Sequence, residues 1–138
     1  MNQSRTPEDQ ALARVEQLIH DTAGALTHEP RLEAMPSFAS PTACLDDDQP
    51  EAQVVIARAY WLRGVPKSEN LAISRQVRSY WESQGHSITG IGRSGSPNLS
   101  GESRPDHFLL ALVWAEGDDL YLGASSPCIR PGGAPEPS

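Results

Sequence analysis

Apolar positions fall at three- and four-residue intervals along the first part of the chain. Ala11, Leu12, Val15, Leu18, Ile19 and Leu26, with Thr22 among them, form one stripe and predict an amphipathic helix from Thr6 to about Thr27. Thr6 is placed to cap it, Pro7 fits the first helical position, Glu8 and Asp9 meet the positive end of the dipole, and Pro30 stops it. From Arg31 to Pro50 neither period is visible, and the segment reads as irregular. The period changes to two over residues 52–62, where Val54, Ile56, Tyr60 and Leu62 interleave with Val55, Ala57 and Trp61. Only Arg58 interrupts, so this strand is expected to be covered in part on both sides. Gly64-Val65-Pro66 turns the chain into a second helical stripe of Leu71, Ile73, Val77, Tyr80 and Trp81, closed by Gly85. His86 to Gly92 reads as a short strand and residues 93–105 as a Gly/Ser/Pro-rich loop. His107 to Ala115 is the most strand-like run, Glu116 to Asp119 a hairpin connection, and Leu120 to Ala124 the returning strand.

The element order is therefore α-β-α-β-β-β. It predicts an α+β domain with a four-stranded, mostly antiparallel sheet whose last three strands form a meander. Both helices are expected on one face, because a small sheet must bury at least one side. Residues 1–43 form the N-terminal helix and an irregular connection, 44–130 a βαβββ body, and 131–138 a disordered Pro/Gly tail.

The two cysteines sharpen this outline. Cys44 precedes the first strand and Cys128 follows the last, a placement that predicts one disulfide across the two ends of the body and an oxidising compartment. The rival role, a catalytic or metal-binding thiol, lacks a neighbouring His or second Cys in sequence. Met1 to Asp9 is polar and shows no signal-peptide pattern, and no run of about 20 apolar residues spans a membrane. Two locations remain open. The protein is extracytoplasmic if a leader or lipidated cysteine precedes the folded part, and cytoplasmic if the polar start is natural.

The formal net charge of −7 argues against nucleic acid or an anionic membrane as partner, since both reward excess Lys and Arg. The basic residues gather centrally (Arg58, Arg63, Lys67, Arg75, Arg78, Arg93, Arg104), either balancing the acidic ends or forming a face for an acidic partner. Candidate chemistry is thin. Gly90-Ile91-Gly92-Arg93-Ser94-Gly95 fits a dinucleotide-binding spacing literally, but Ser96-Pro97 follows where a helix should open, so it reads as a turn. His20 and His28 lie two helical turns apart, too far to share a metal, and Asp46-Asp47-Asp48 lacks the alternating ligands and glycine of a calcium loop. No serine-hydrolase elbow is present. No cofactor, metal or catalytic residue is assigned.

The run Gly64-Val65-Pro66, Asn70, Ile73, Val77, Tyr80-Trp81 and Gly85, followed by Asp106-His107-Phe108-Leu109-Leu110 and a closing Ser125-Ser126-Pro127-Cys128, resembles small secreted or lipid-anchored proteins of actinobacteria of uncharacterised function. The resemblance covers roughly residues 44–130. It implies an envelope or extracellular home and a binding rather than catalytic role. Trp61 and Trp81 are expected between sheet and helices, which on an alternating strand sends Arg58 and Tyr60 to the opposite, open face. The expected function is thus non-enzymatic binding of another protein, as an immunity protein or accessory subunit for a secreted toxin or envelope complex. Its contact residues are expected to be Arg58, Tyr60, Arg93 and the acidic loop Asp46, Asp47 and Asp48. The alternative is a small-molecule or lipid carrier with a pocket between helices and sheet.

Overall fold

A computed structural model describes residues 7–36, 42–44, 53–93 and 95–129. The first apolar stripe forms α1 (Pro7–Gly24) and the second α2 (Asn70–Ser83). The strands are β1 (Arg31–Ala34), β2 (Thr42–Ala43), β3 (Val54–Val55), β4 (Ala57–Arg63), β5 (Ser87–Ile91), β6 (Leu99–Glu102), β7 (Leu109–Trp114) and β8 (Leu120–Ser125). One antiparallel sheet has six strands in the order β1-β4-β8-β7-β6-β5, and β2 pairs with β3 apart from it. The α+β class, the two helices, the antiparallel sheet and the Cys44–Cys128 bridge are as expected.

The sheet has six strands rather than four because two segments read as irregular are strands. β1 lies in the connection after α1, pairs with β4, and turns only Leu32 toward the interior between exposed Arg31 and Glu33. A four-residue edge strand with one inward apolar residue has no visible period. β6 lies in the loop read across residues 93–105. It directs Leu99 and Gly101 inward and Ser100 and Glu102 outward. It also separates β5 from β7, so the meander contains four strands, and β8 closes it against β4.

Gly101 has no side chain because Trp81 occupies the space: a Cβ there would lie 3.2 Å from the Trp81 ring and 2.9 Å from the Ser87 carbonyl oxygen. Trp81 is 1% exposed, and its indole N–H donates to Thr22 Oγ1 at 2.9 Å. The Thr22 hydroxyl in turn donates to the Leu18 carbonyl at 2.7 Å. Val15, Leu18 and Ile19 of α1 and Ile73 and Val77 of α2 complete a core against Leu62, Leu99, Leu110, Leu112, Leu120 and Leu122. Gly85, at φ 83°, ends α2 as expected, with the His86 N–H donating to the Trp81 carbonyl at 3.0 Å.

The strand predicted over residues 52–62 is broken at Ile56. Val54 exchanges two 2.8 Å hydrogen bonds with Ile129, whereas Ile56 donates to the Ser126 hydroxyl at 2.9 Å and accepts from its N–H at 2.8 Å. Cys44 and Cys128 bridge beside this small ladder with Cα atoms 6.2 Å apart.

Two stability measurements test this framework. Gly101→Ala should cost about 1–3 kcal/mol in urea unfolding, as overpacking against ring and backbone does. A cost near zero would show that Trp81 does not sit on β6. Reduction of Cys44–Cys128, which are 84 residues apart, should cost about 4–5 kcal/mol if loop closure in the unfolded chain sets its worth. An unchanged midpoint after reduction would contradict that.

Candidate functional site

Alternation along the strands assigns every sheet residue to one of two faces. Leu62, Leu110, Leu112, Leu120 and Leu122 share the face on which α1 packs against β4 and β8, and α2 against β5 and β6. In β4 the phase of Leu62 is also that of Arg58 and Tyr60, so both point beneath α1. The Tyr60 hydroxyl lies 2.8 and 2.7 Å from the two Glu16 carboxylate oxygens, and Arg58 Nε lies 4.0 Å from Glu16. The expected orientation of β4 is therefore reversed: Tyr60 and Arg58 tie α1 to the sheet, and Trp61 is the residue on the other face. The cause is the double-sided apolar character of this strand. Leu62 competes with Trp61 for the core, and the leucine phase shared with β7 and β8 wins.

No described element covers that other face. Its rows follow the register of the sheet. The central row is Ala59, Gly123, Ala111, Ser100 and Gly90, all small. On one side stand Trp61, Tyr121 and Val113, and on the other Ala57, Ser125, Leu109 and Glu102. The small row leaves a hollow of about 370 Å³ against Leu109, Val113 and Tyr121. It adjoins a second hollow of about 320 Å³ that reaches Gly90 and Ile91 on β5. Leu109 and Ile91 are each 57% exposed.

Among the described residues, charge lies at the rims of this face. Trp61 meets Tyr121 edge-on, with ring centroids 5.5 Å apart, and the Arg63 guanidinium lies 5.0 Å from the Trp61 ring centroid. Arg63 also donates to Glu33 at 2.7 Å and lies 3.7 Å from Asp119, while Lys67 holds Asp119 at 2.8 Å. The hydrogen bond from Lys67 keeps the Asp119 carboxyl below its usual range. At the opposite rim Glu102 lies 2.8 Å from His107 and 3.7 Å from Arg104. His107 holds φ 62°, a left-handed conformation in the turn before β7.

Of the residues singled out from sequence, Arg58 and Tyr60 come together at Glu16, and Arg93 is exposed beyond the end of β5, at the far edge of the sheet. Asp46, Asp47 and Asp48, like the tail 131–138, lie outside the described residues. Gly90 to Gly95 leads from β5 toward another strand, not a helix. The open-face set Trp61, Tyr121, Leu109, Ala111 and Val113 was missed. The signal for it is Leu110, Leu112, Leu120 and Leu122 in one phase of β7 and β8 against Ala111, Val113, Tyr121 and Gly123 in the other, with Leu109 the exception.

No protein-family model, no curated protein and no solved structure matches this chain.

The contact between α1 and β4 has a pH signature. Burial, and then the hydrogen bond to Glu16, push the Tyr60 phenol from the ordinary 10.0 up to about 12. The folded chain therefore holds this proton more tightly than the unfolded one. The resulting stabilisation is complete below pH 10 and is lost as pH rises to about 12. Tyr60→Phe should flatten the fall in stability over that window, as read by chemical denaturation. An equally steep fall in the variant would sink the Glu16–Tyr60 pairing.

Proposed function

We propose that this protein is a non-enzymatic, extracytoplasmic domain that binds another protein on the uncovered face of its sheet. The observation that carries the reading is that face itself: an apolar, concave surface with aromatic and aliphatic walls and, among the described residues, charges only at its rims. Its most exposed apolar groups, Leu109 and Ile91 at 57% each, stand inside a charged rim, the arrangement that marks interaction surfaces. Buried aromatic anchors within a polar rim are the usual anatomy of protein interfaces.

The Cys44–Cys128 bridge favours an oxidising home, in keeping with the secreted and lipid-anchored proteins that the chain resembles. In that setting the domain would serve as an immunity protein or as an accessory subunit of a secreted or envelope complex. The carrier reading has less behind it, because Val15, Val77 and Trp81, all at most 1% exposed, fill the layer between helices and sheet.

Photo-crosslinking tests the binding reading. A diazirine analogue of leucine at position 109, on the open face, should yield a covalent protein adduct in the native compartment. The same analogue at Leu71, 43% exposed on α2, should not. Adducts at both positions, or at neither, would reject the uncovered sheet as the docking surface.

A further inference from the structure

A polar cleft of about 180 Å³ lies where α1, the last turn of α2, the residue before β5 and the turn after β6 meet. It is on the helical side of the sheet, apart from the open face. Leu18 and Thr22, both buried, form its floor, and polar groups that are half-buried or exposed form its walls. The space equals the liquid volume of roughly six waters at about 30 Å³ each. Drug-sized pockets begin at ~300 Å³, so only a small molecule fits.

The walls are set before any ligand arrives. Arg14 Nε donates to Asp106 at 2.7 Å and Nη1 to Gln17 at 3.0 Å, while the hydroxyl of buried Ser103 donates to the other Asp106 oxygen. The guanidinium is thereby fixed, with Nη2 free of hydrogen bonds to the described residues. His86 Nδ1 accepts the Arg104 backbone N–H at 3.2 Å. Burial, and then the charge of Arg14, hold the His86 imidazole below its ordinary pKa, so at pH 7 the ring is neutral and its one proton sits on Nε2. Burial, and then the charge of Asp21, raise the Tyr80 phenol, so it keeps its proton. Arg14 opposes that rise, which puts Tyr80 within reach of both charges.

Arg14 Nη2, the Tyr80 hydroxyl and His86 Nε2 are thus donors with no acceptor among the described residues. Asp21 is the carboxylate on the lining, and no described residue pairs with it. The arginine charges are already answered, Arg14 by Asp106 and Arg104 by Glu102 at 3.7 Å, so Asp21 is the charge left over. A simple anion would meet Asp21, and a simple amine would leave the donors without an acceptor. A molecule with both a carboxylate and an ammonium group satisfies both sets. Arg14 and Asp21 lie two helical turns apart on α1 and so share one side of it. We propose that this cleft binds a free amino acid, its carboxylate on Arg14, Tyr80 and His86 and its ammonium on Asp21.

Titration calorimetry of the disulfide-intact chain against each of the common protein amino acids is the test. At least one should bind with a Kd below about 1 mM. Its analogues lacking only the amino group or only the carboxyl group should bind about tenfold more weakly or worse. Asp21→Asn should weaken the amino acid by about tenfold without weakening the deamino analogue, whereas Tyr80→Phe should weaken both. Neither the Asp21 carboxylate nor the Tyr80 hydroxyl bonds another described residue, so both variants should keep the wild-type melting temperature, which separates a lost ligand from a lost fold. Binding by none of the amino acids, an analogue as tight as its parent, or unchanged binding to Asp21→Asn overturns the proposal. Crosslinking at position 109 reads the opposite face, so the protein-binding reading and the amino-acid cleft fail separately.

Discussion

Trp81 is the residue on which the layered structure depends. Its ring lies where the β6 strand would otherwise carry a side chain, and its N–H reaches across to a hydroxyl on α1. A buried indole N–H without an acceptor costs about 1–3 kcal/mol, so Thr22 and Trp81 constrain each other's position. Through this one side chain α2 is fixed to the sheet and α1 to α2. Both helices are thereby committed to the same side. The α1–β4 seam of Glu16, Tyr60 and Arg58 anchors the other end of the helical layer and explains why polar residues occupy inward positions of β4.

That commitment leaves the second face uncovered by any described element and sets its character. Its residues are held in register by the same backbone pairs that build the core, so the row of Ala59, Gly123, Ala111 and Ser100 is as rigid as the sheet. A surface organised in this way would lose little conformational entropy on docking. The edge-on Trp61–Tyr121 pair and the cation over Trp61 fix the wall in the same sense.

The sequence revealed what depends on local pattern. The periods of α1 and α2, the glycine at φ 83° after α2, the β7–β8 hairpin and the cysteine bridge are all encoded by neighbours in the chain or by placement at its ends. It concealed what depends on distant partners. β6 has a glycine at an inward position because the group filling that position belongs to α2, 20 residues earlier by number, and no period can register a side chain supplied from elsewhere. β1 is short and turns most of its residues to solvent. The orientation of β4 was undetermined locally, since Trp61 and Leu62 are both large and apolar. Only the register of β4 on β8, which sets Tyr60 opposite Leu122 and so puts Leu62 in the leucine phase, decides between them. The open face was concealed for the same reason: with Trp61 expected in the core, alternation sends Arg58 and Tyr60 to the open side, whereas they serve the helical layer.

An apolar face that no described element covers, on a sheet with exposed edges, raises the question of which surface a partner would meet. Edge strands offer unpaired backbone groups that invite strand addition, and this sheet blunts both of its edges. β1 is only four residues long and places Arg31 and Glu33 at its exposed positions. β5 shifts register between Ile88 and Gly90, and Thr89, at that irregularity, directs its hydroxyl to Ser100 at 3.2 Å. Edge-to-edge growth, which has no natural end, is thus discouraged, whereas the face is finite and closes once it is covered. The contrast between guarded edges and a face that no described element covers is consistent with the proposed docking surface, which would use side-chain packing rather than backbone pairing.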